Sequence, residues 1–452
     1  MVQHQSLSLH DAVDLALRHA SRLGVSGVEV YGIRYKRLTV NAAKGEISSV
    51  LFNDEGGIAL RLDVEGRVVF SYVNSLNLAS IRKLVDGAYR QAVSSPVDPY
   101  FKGFYEPSRE YVFPDRIYSP VISKRLTDPR DVIDSVISAI QEYESDKFKV
   151  TWLYMGLGEA RQVIANSEGV YEEFSSTFAR SMVDTIGVDG VNRSPSIYEA
   201  DGWRDRIPDP RMLLEKAREK AFRSLRREKI ELPREYRIIL TPEAFTELFN
   251  YTFGEALLGI SYVNRSSPFT DKVGESIAPE CLTVIDNPHE PGKLGSTPFD
   301  GEGAPTYPKK VIDKGVLKTF LFDNYYAKIA GFESTGNASR SSYTSPPGIA
   351  WSNLVIEPGD VKLDEILEDG NVIYVERIQG VFNAKFQTGD YGGAGTPAWL
   401  YLRGGEVKPL GSISVSGNIY RDIETCMLTR EVEDKGSFRA PYALITAKVH
   451  TI

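Results

Sequence analysis

Cysteine and histidine are scarce in this 452-residue chain: two cysteines, Cys281 and Cys426, and five histidines. Two thiols cannot staple a disulfide scaffold, and they fit a reducing compartment. No two of His4, His10, His19, His289 and His450 stand four apart, so no helical face offers paired imidazoles to zinc. The phosphate cradles G-x-G-x-x-G and G-x-x-x-x-G-K-[ST] are missing, as is the G-x-S-x-G nucleophile elbow. No apolar run approaches the roughly 20 residues that span a bilayer. The segment Met1-Val2-Gln3-His4-Gln5-Ser6 has neither the basic nor the apolar region of a secretory leader. Positive charge is also short, with 53 Lys+Arg against 61 Asp+Glu and a net charge of −8. That disfavours tight binding to a nucleic-acid backbone. The expectation is a soluble cytoplasmic protein with no nucleic-acid or membrane partner.

What is present is ordinary globular composition, 42% hydrophobic and 25% charged, which excludes a disordered or fibrous chain. The length suggests two or three domains. Val13, Ala16, Leu17 and Ala20 predict a helix that stops at Gly24. Strands follow at Val28–Tyr31, Leu38–Val40 and Ile58–Leu62, with Gly56-Gly57 and Gly66 as turns. A second amphipathic helix carries Leu78, Ile81, Leu84, Val85, Ala88 and Ala92 on one stripe. Prolines 96, 99, 107, 114, 120 and 129 predict an irregular connection over 95–129, after which Asp128-Pro129 caps a helix. Strands are expected at 148–156, 160–166 and 170–188, with Asn166-Ser167-Glu168-Gly169 as a hairpin turn. A helix runs from Asp209-Pro210 to about Arg227, and another opens at Thr241-Pro242. Short strands and Gly-rich turns fill the remainder. The fold class is α+β: an N-terminal helix-plus-antiparallel-meander domain (1–95), a Pro-rich connection (96–130), a second such domain (131–230) and a β-rich C-terminal domain (231–452).

Several side-chain groups merit chemical readings. Asp300 and Glu302 in Pro298-Phe299-Asp300-Gly301-Glu302-Gly303 form either an acid/base pair or, more simply, a turn bonding local amides. Cys281, Asp286, His289 and Glu290 mix ligand types without any known zinc spacing, which favours a solvated loop. Gly389-Asp390-Tyr391-Gly392-Gly393 reads as a turn, since no helix follows it. Lys216, Arg218, Lys220, Arg223, Arg226, Arg227 and Lys229 alternate with Glu215, Glu219 and Glu228, as on a solvated, ion-paired helix face. Ser334-Thr335-Gly336-Asn337-Ala338-Ser339-Arg340 packs donors and one guanidinium into a loop suited either to an extended peptide or to its own backbone.

One block is specific: Ser267-Pro268-Phe269, Lys272-Val273-Gly274-Glu275, Ser296 through Gly303, Lys314-Gly315-Val316-Leu317-Lys318 and Ser334 through Ala338. With Gly57, Leu60-Arg61, Asn166 through Gly169 and Gly411 through Asn418, it resembles the TldD/PmbA family over nearly the whole chain. The resemblance implies an N-terminal α+β part, a central part and a β-rich C-terminal domain. One branch of that family is a zinc metallopeptidase with H-E-x-x-x-H on a helix just before this block; the PmbA/TldE branch lacks it and pairs with a TldD subunit. Counted back from Ser267, the two histidine positions fall on Asn250 and Glu255, and the glutamate position on Tyr251. A neutral amide is a weak zinc ligand, and a phenol cannot replace the activating carboxylate. The family's cysteine ligand falls near Cys426.

The resemblance thus implies a PmbA/TldE-like subunit with no catalytic residue or cofactor of its own, serving a zinc-bearing TldD-like partner or a second copy of itself. Its substrate would be extended peptide, contacted by Thr335, Asn337 and Arg340. Two alternatives stay open: an autonomous metallopeptidase using Glu255, Cys426 or His289, and a binding protein that modulates a nucleic-acid enzyme.

Overall fold

The computed structural model describes residues 7–228 and 230–451, so the readings of Met1–Ser6 (including His4) and of Lys229 lie outside the described residues. Helix α1 (Leu9–Arg22) is capped by Ser8, whose hydroxyl accepts the Asp11 N–H, and it buries Ala12, Val13, Ala16 and Ala20. Helix α2 (Leu78–Ser94) is capped by Asn77 and buries Ile81, Leu84, Val85, Ala88 and Ala92 of the expected stripe, while Leu78 at its first position is exposed. The strands are longer than their apolar segments suggested. Val28–Tyr31 and Leu38–Val40 belong to one strand, β1 (Gly27–Ala43), followed by β2 (Glu46–Val64) and β3 (Arg67–Val73). Gly56 and Gly57 therefore lie inside β2 and not in a turn. Gly57 is needed for a close approach: a Cβ there would sit 2.4 Å from the Tyr343 ring.

The Pro-rich connection contains one regular element, α3 (Pro120–Thr127), because proline fits a first helical turn. Asp128 does not cap the next helix, α4 (Arg130–Tyr143); its carboxylate pairs with Arg130 at 2.8 Å. The runs 148–156 and 160–166 merge into β4 (Phe148–Asn166), joined through the expected turn to β5 (Tyr171–Asp189). The two-residue β6 (Asn192–Arg193) and β7 (Ile197–Trp203) both pair with β5. Helix α5 (Pro210–Arg223) is capped by Asp209 and ends a turn before Arg227.

Strand β1 pairs with β4 from Glu29 opposite Asn166 to Ala42 opposite Leu153. The two helix-and-meander units therefore share one seven-stranded antiparallel sheet. Alternation puts Val28, Val30, Leu38 and Val40 on the face covered by the helices. Tyr31, Ala59, Ile164 and Phe174 point the other way, against Phe299, Ala304 and Tyr343 of the C-terminal part. That part is an eleven-stranded mixed sheet. Its pairing returns from Glu235–Leu240 to Phe438–Thr451, so five of its strands close on themselves around an apolar core.

A buried ionic cluster fastens the two halves. Arg61 donates to both carboxylate oxygens of Glu29 (2.9 and 2.6 Å) and to Glu302 (2.7 Å), while Arg340 reaches Glu29. Glu302 also accepts the Asn324 N–H at 2.7 Å. Beside it Asp323 caps the helix Asn324–Ala330. Burial, and next the charge of Glu302, push the Asp323 carboxyl up to about 8. A carboxyl whose pKa rises on folding holds its proton more tightly in the folded chain. Its stabilisation is complete below the ordinary carboxylate range and is lost as pH rises through about 8. Denaturation midpoints measured between about pH 5 and pH 9 are expected to fall. Asp323→Asn cannot ionise but can still accept the Tyr326 N–H, and is expected to flatten that slope.

Candidate functional site

Thr241 caps α6 (Pro242–Phe249), as the sequence predicts, but the helix does not continue regularly. Asn250–Gly254 forms a π turn in which the Glu255 N–H bonds the Asn250 carbonyl. On an α-helix, positions five apart differ by about 500° of rotation and so face about 140° apart. A five-residue hydrogen bond stacks them. The wider turn is held by the Trp351 indole, which donates to the Gly254 carbonyl (3.1 Å), and by Thr252, which donates to Leu248 (2.6 Å). Phe253 anchors it from below, with ring centroids 5.5 Å from Phe249, 5.5 Å from Phe269 and 4.9 Å from Tyr420.

Asn250, Tyr251 and Glu255 consequently line one cavity of about 510 Å3 between the π turn and the far face of the seven-stranded sheet. Glu247 and Glu243, one and two turns earlier on α6, extend that wall, while Arg180 and Tyr198 stand on the opposite one. Burial alone would raise Glu243, yet Lys435 and Arg377 hold it below the usual carboxylate range. Burial pushes Glu247 up against the pull of Arg377, and pushes Glu255 up with no cation to oppose it. Arg377 lies 4.7 Å over the Tyr198 ring and 3.4 Å from Glu247. Such a lining can hydrogen-bond and stack an extended polar chain. It does not suit zinc: the donors at the motif positions are an amide, a phenol and one carboxylate, and among the described residues no three His, Cys, Asp or Glu side chains gather as ligands.

The structure does not bring the other sequence candidates to this cavity. Thr335 accepts the Phe322 N–H (2.7 Å) and donates to Asn337 (2.7 Å), while Asn337 donates to Asp286 (2.7 Å) and the Ala350 carbonyl (3.0 Å). Arg340 donates to the Gly301 carbonyl (2.7 Å) and binds Glu29. Thr335 and Asn337 are buried, as is the Arg340 side chain, so most of these donors and acceptors are taken up by their own surroundings; the Arg340 Nη1 has no partner among the described residues. Asp300 accepts from the amides of Glu302, Ala304 and Ala338 (2.9 Å each), which is the turn reading. Glu255, Cys426 and His289 do not form a group. Cys426 sits in the core with its carbonyl 3.4 Å from the Cys281 sulfur, and His289 pairs with Thr306 at 3.2 Å.

The model for the PmbA/TldA metallopeptidase C-terminal domain matches residues 233–450, and that for PmbA/TldA metallopeptidase domain 1 matches 28–92. The chain belongs to the PmbA/TldD family. Among its PmbA/TldD relatives, the metalloprotease PmbA of Escherichia coli O157:H7 is 25% identical, covering 98% of this chain and 96% of its own. A metalloprotease PmbA homolog of Haemophilus influenzae is 24% identical over 93% and 90% of the two chains. The crystal structure of TldE from Thermococcus kodakarensis superimposes with a TM-score of 0.84 at 25% identity, covering 97% of this chain and 99% of that one. A Thermotoga maritima protein whose name refers to modulation of a DNA gyrase shares the fold, with a TM-score of 0.85 at 20% identity and 98% and 100% coverage. Among the described residues no helix is long and apolar enough to cross a membrane.

Sequence reasoning missed most of the cavity lining beyond Asn250, Tyr251 and Glu255. Glu243 and Glu247 were within reach, since with Tyr251 they repeat every four residues and share a helical face. Arg180, Arg377 and Lys435 carry no local signal; strand pairing and the packing of the two sheets bring them here.

Proposed function

We propose that this chain is the metal-free member of a cytoplasmic PmbA/TldD-type peptidase assembly, a dimer with a TldD-like zinc subunit or with a second copy of itself. Its work is to hold extended, unfolded peptide for that assembly's hydrolytic centre. The observation that carries the reading is the placement of Asn250 and Glu255 side by side on the cavity wall, where the family resemblance puts two imidazoles. An amide and a carboxylate there can bind peptide N–H and C=O groups but offer little to zinc. The edge strand β7 borders the same cavity and can add main-chain hydrogen bonds, a sequence-tolerant mode of holding peptide.

The purified chain alone is expected to carry no stoichiometric zinc and to leave unfolded peptide intact. Mixed with the TldD-like chain of the same source, it is expected to co-elute and to raise hydrolysis by that partner. Metal analysis giving one tightly held zinc per chain, together with cleavage by the chain alone, would refute the proposal.

A further inference from the structure

Beyond Arg180 the same face of the sheet continues into a second cavity of about 390 Å3, which shares Arg180, Met182 and Leu294 with the first. Its floor is shallow for a reason written in β4. Gly156 faces Arg180 and Gly158 faces Phe178 across the β4–β5 pairing. A Cβ on Gly156 would lie 2.1 Å from the Tyr154 hydroxyl, and one on Gly158 would lie 2.3 Å from the Phe178 ring. The two glycines thus let both aromatic rings lie flat on the strand, with Trp152 next to Tyr154 at 5.9 Å between centroids.

The charge around this floor has one sign. Arg37, Arg180 and Arg204 line the cavity, and no carboxylate does, in a chain whose net charge is −8. Arg37 is oriented by its bond to the Tyr154 hydroxyl (2.6 Å), and Arg204 by its bond to the Lys293 carbonyl (3.1 Å). Burial, and then the like charge of Arg180 beside it, push Arg204 down to about 10. Two neighbouring guanidiniums with no anion in their pocket repel each other, and a bound carboxylate would relieve them through bidentate, charge-assisted hydrogen bonds. The other end of the combined trough is mixed: Glu243, Glu247 and Glu255 line it, but Arg377 and Lys435 pair with the first two, which leaves Glu255 as the carboxylate without a cation beside it.

We infer that the arginine end of this trough binds the C-terminal carboxylate of an extended peptide, whose last apolar side chain lies on Trp152, Tyr154 and Phe178. The inference rests on the peptide-holding reading and adds a direction to it: the chain terminus docks at the sheet, and the preceding residues run toward the π turn. Aromatic faces accept most apolar side chains, so selection falls on the terminal charge and not on sequence.

Calorimetric titration of the full chain with a short alanine- and phenylalanine-containing peptide tests this. At low salt the free acid is expected to bind about tenfold more tightly than the same peptide amidated at its C-terminus, the gain of one charge-assisted pairing. Arg180→Gln is expected to remove that preference without changing the melting temperature, because the Arg180 side chain is exposed. Arg37→Gln, on another strand, is expected to reduce it as well. Equal binding of acid and amide overturns the carboxylate site while leaving the peptide-holding function to stand on its partner assay. An amidated peptide with an internal glutamate that binds as tightly as the free acid overturns the assignment to chain termini. If the acid preference holds but the partner assay fails, the site stands and the assembly role falls.

Discussion

Replacing Glu302 with alanine is expected to lower the stability of the chain by about 3–5 kcal/mol, the range for removing one partner of a buried ion pair. The Glu302 side chain is 1% exposed and sits against Arg61, itself 12% exposed. Without it, two guanidiniums, Arg61 and Arg340, share the single carboxylate of Glu29 in a dry interface. The Asn324 amide loses its acceptor in the same step. Guanidinium denaturation followed by far-ultraviolet circular dichroism measures the loss. A change below about 1 kcal/mol would mean that water reaches the cluster and screens it as at a surface.

Phe253→Ala has an expected cost of similar size, about 3–5 kcal/mol, from a cavity in a fully buried site. Three aromatic partners lose their shared neighbour at once. Their packing sets the height of the π turn, so Asn250 and Glu255 are expected to lose their common facing with it. Two measurements therefore move together: the denaturation midpoint, and peptide affinity in the calorimetric titration. Tyr251→Ala is exposed at the same turn and should leave stability nearly unchanged.

Local chemistry explains which elements were readable beforehand. The caps at Asp209 and Thr241, the stripe of α2 apart from Leu78, and the hairpin at Asn166–Gly169 depend on neighbours in sequence, and each is present. The mistaken turn at Gly56-Gly57 shows the limit. Gly57 answers to Tyr343, nearly three hundred residues away, and Gly56 to the neighbouring strand at Ile33 and Arg34, and neither to chain reversal. The loop around Thr335 and Arg340 shows the same dependence on distant partners: its groups suit a ligand in isolation, but Asp286 bonds Asn337 and Glu29 bonds Arg340. The positions at the candidate site were legible only through their spacing against the zinc motif of the family that the chain resembles. That they share a face depends on one widened turn, and no apolar periodicity reports a widened turn.

The pairing of β1 with β4 also dictates how this polypeptide behaves when cut. A protease that nicks the Pro-rich segment between α2 and α3 severs the backbone but none of the ladder that spans the break. The nicked molecule should stay clasped. Either fragment made alone would bare a long, ordered strand border with its amides and carbonyls unmet, a template for runaway aggregation. The stretch that looks most like a boundary on paper is, mechanically, a strap across a seam.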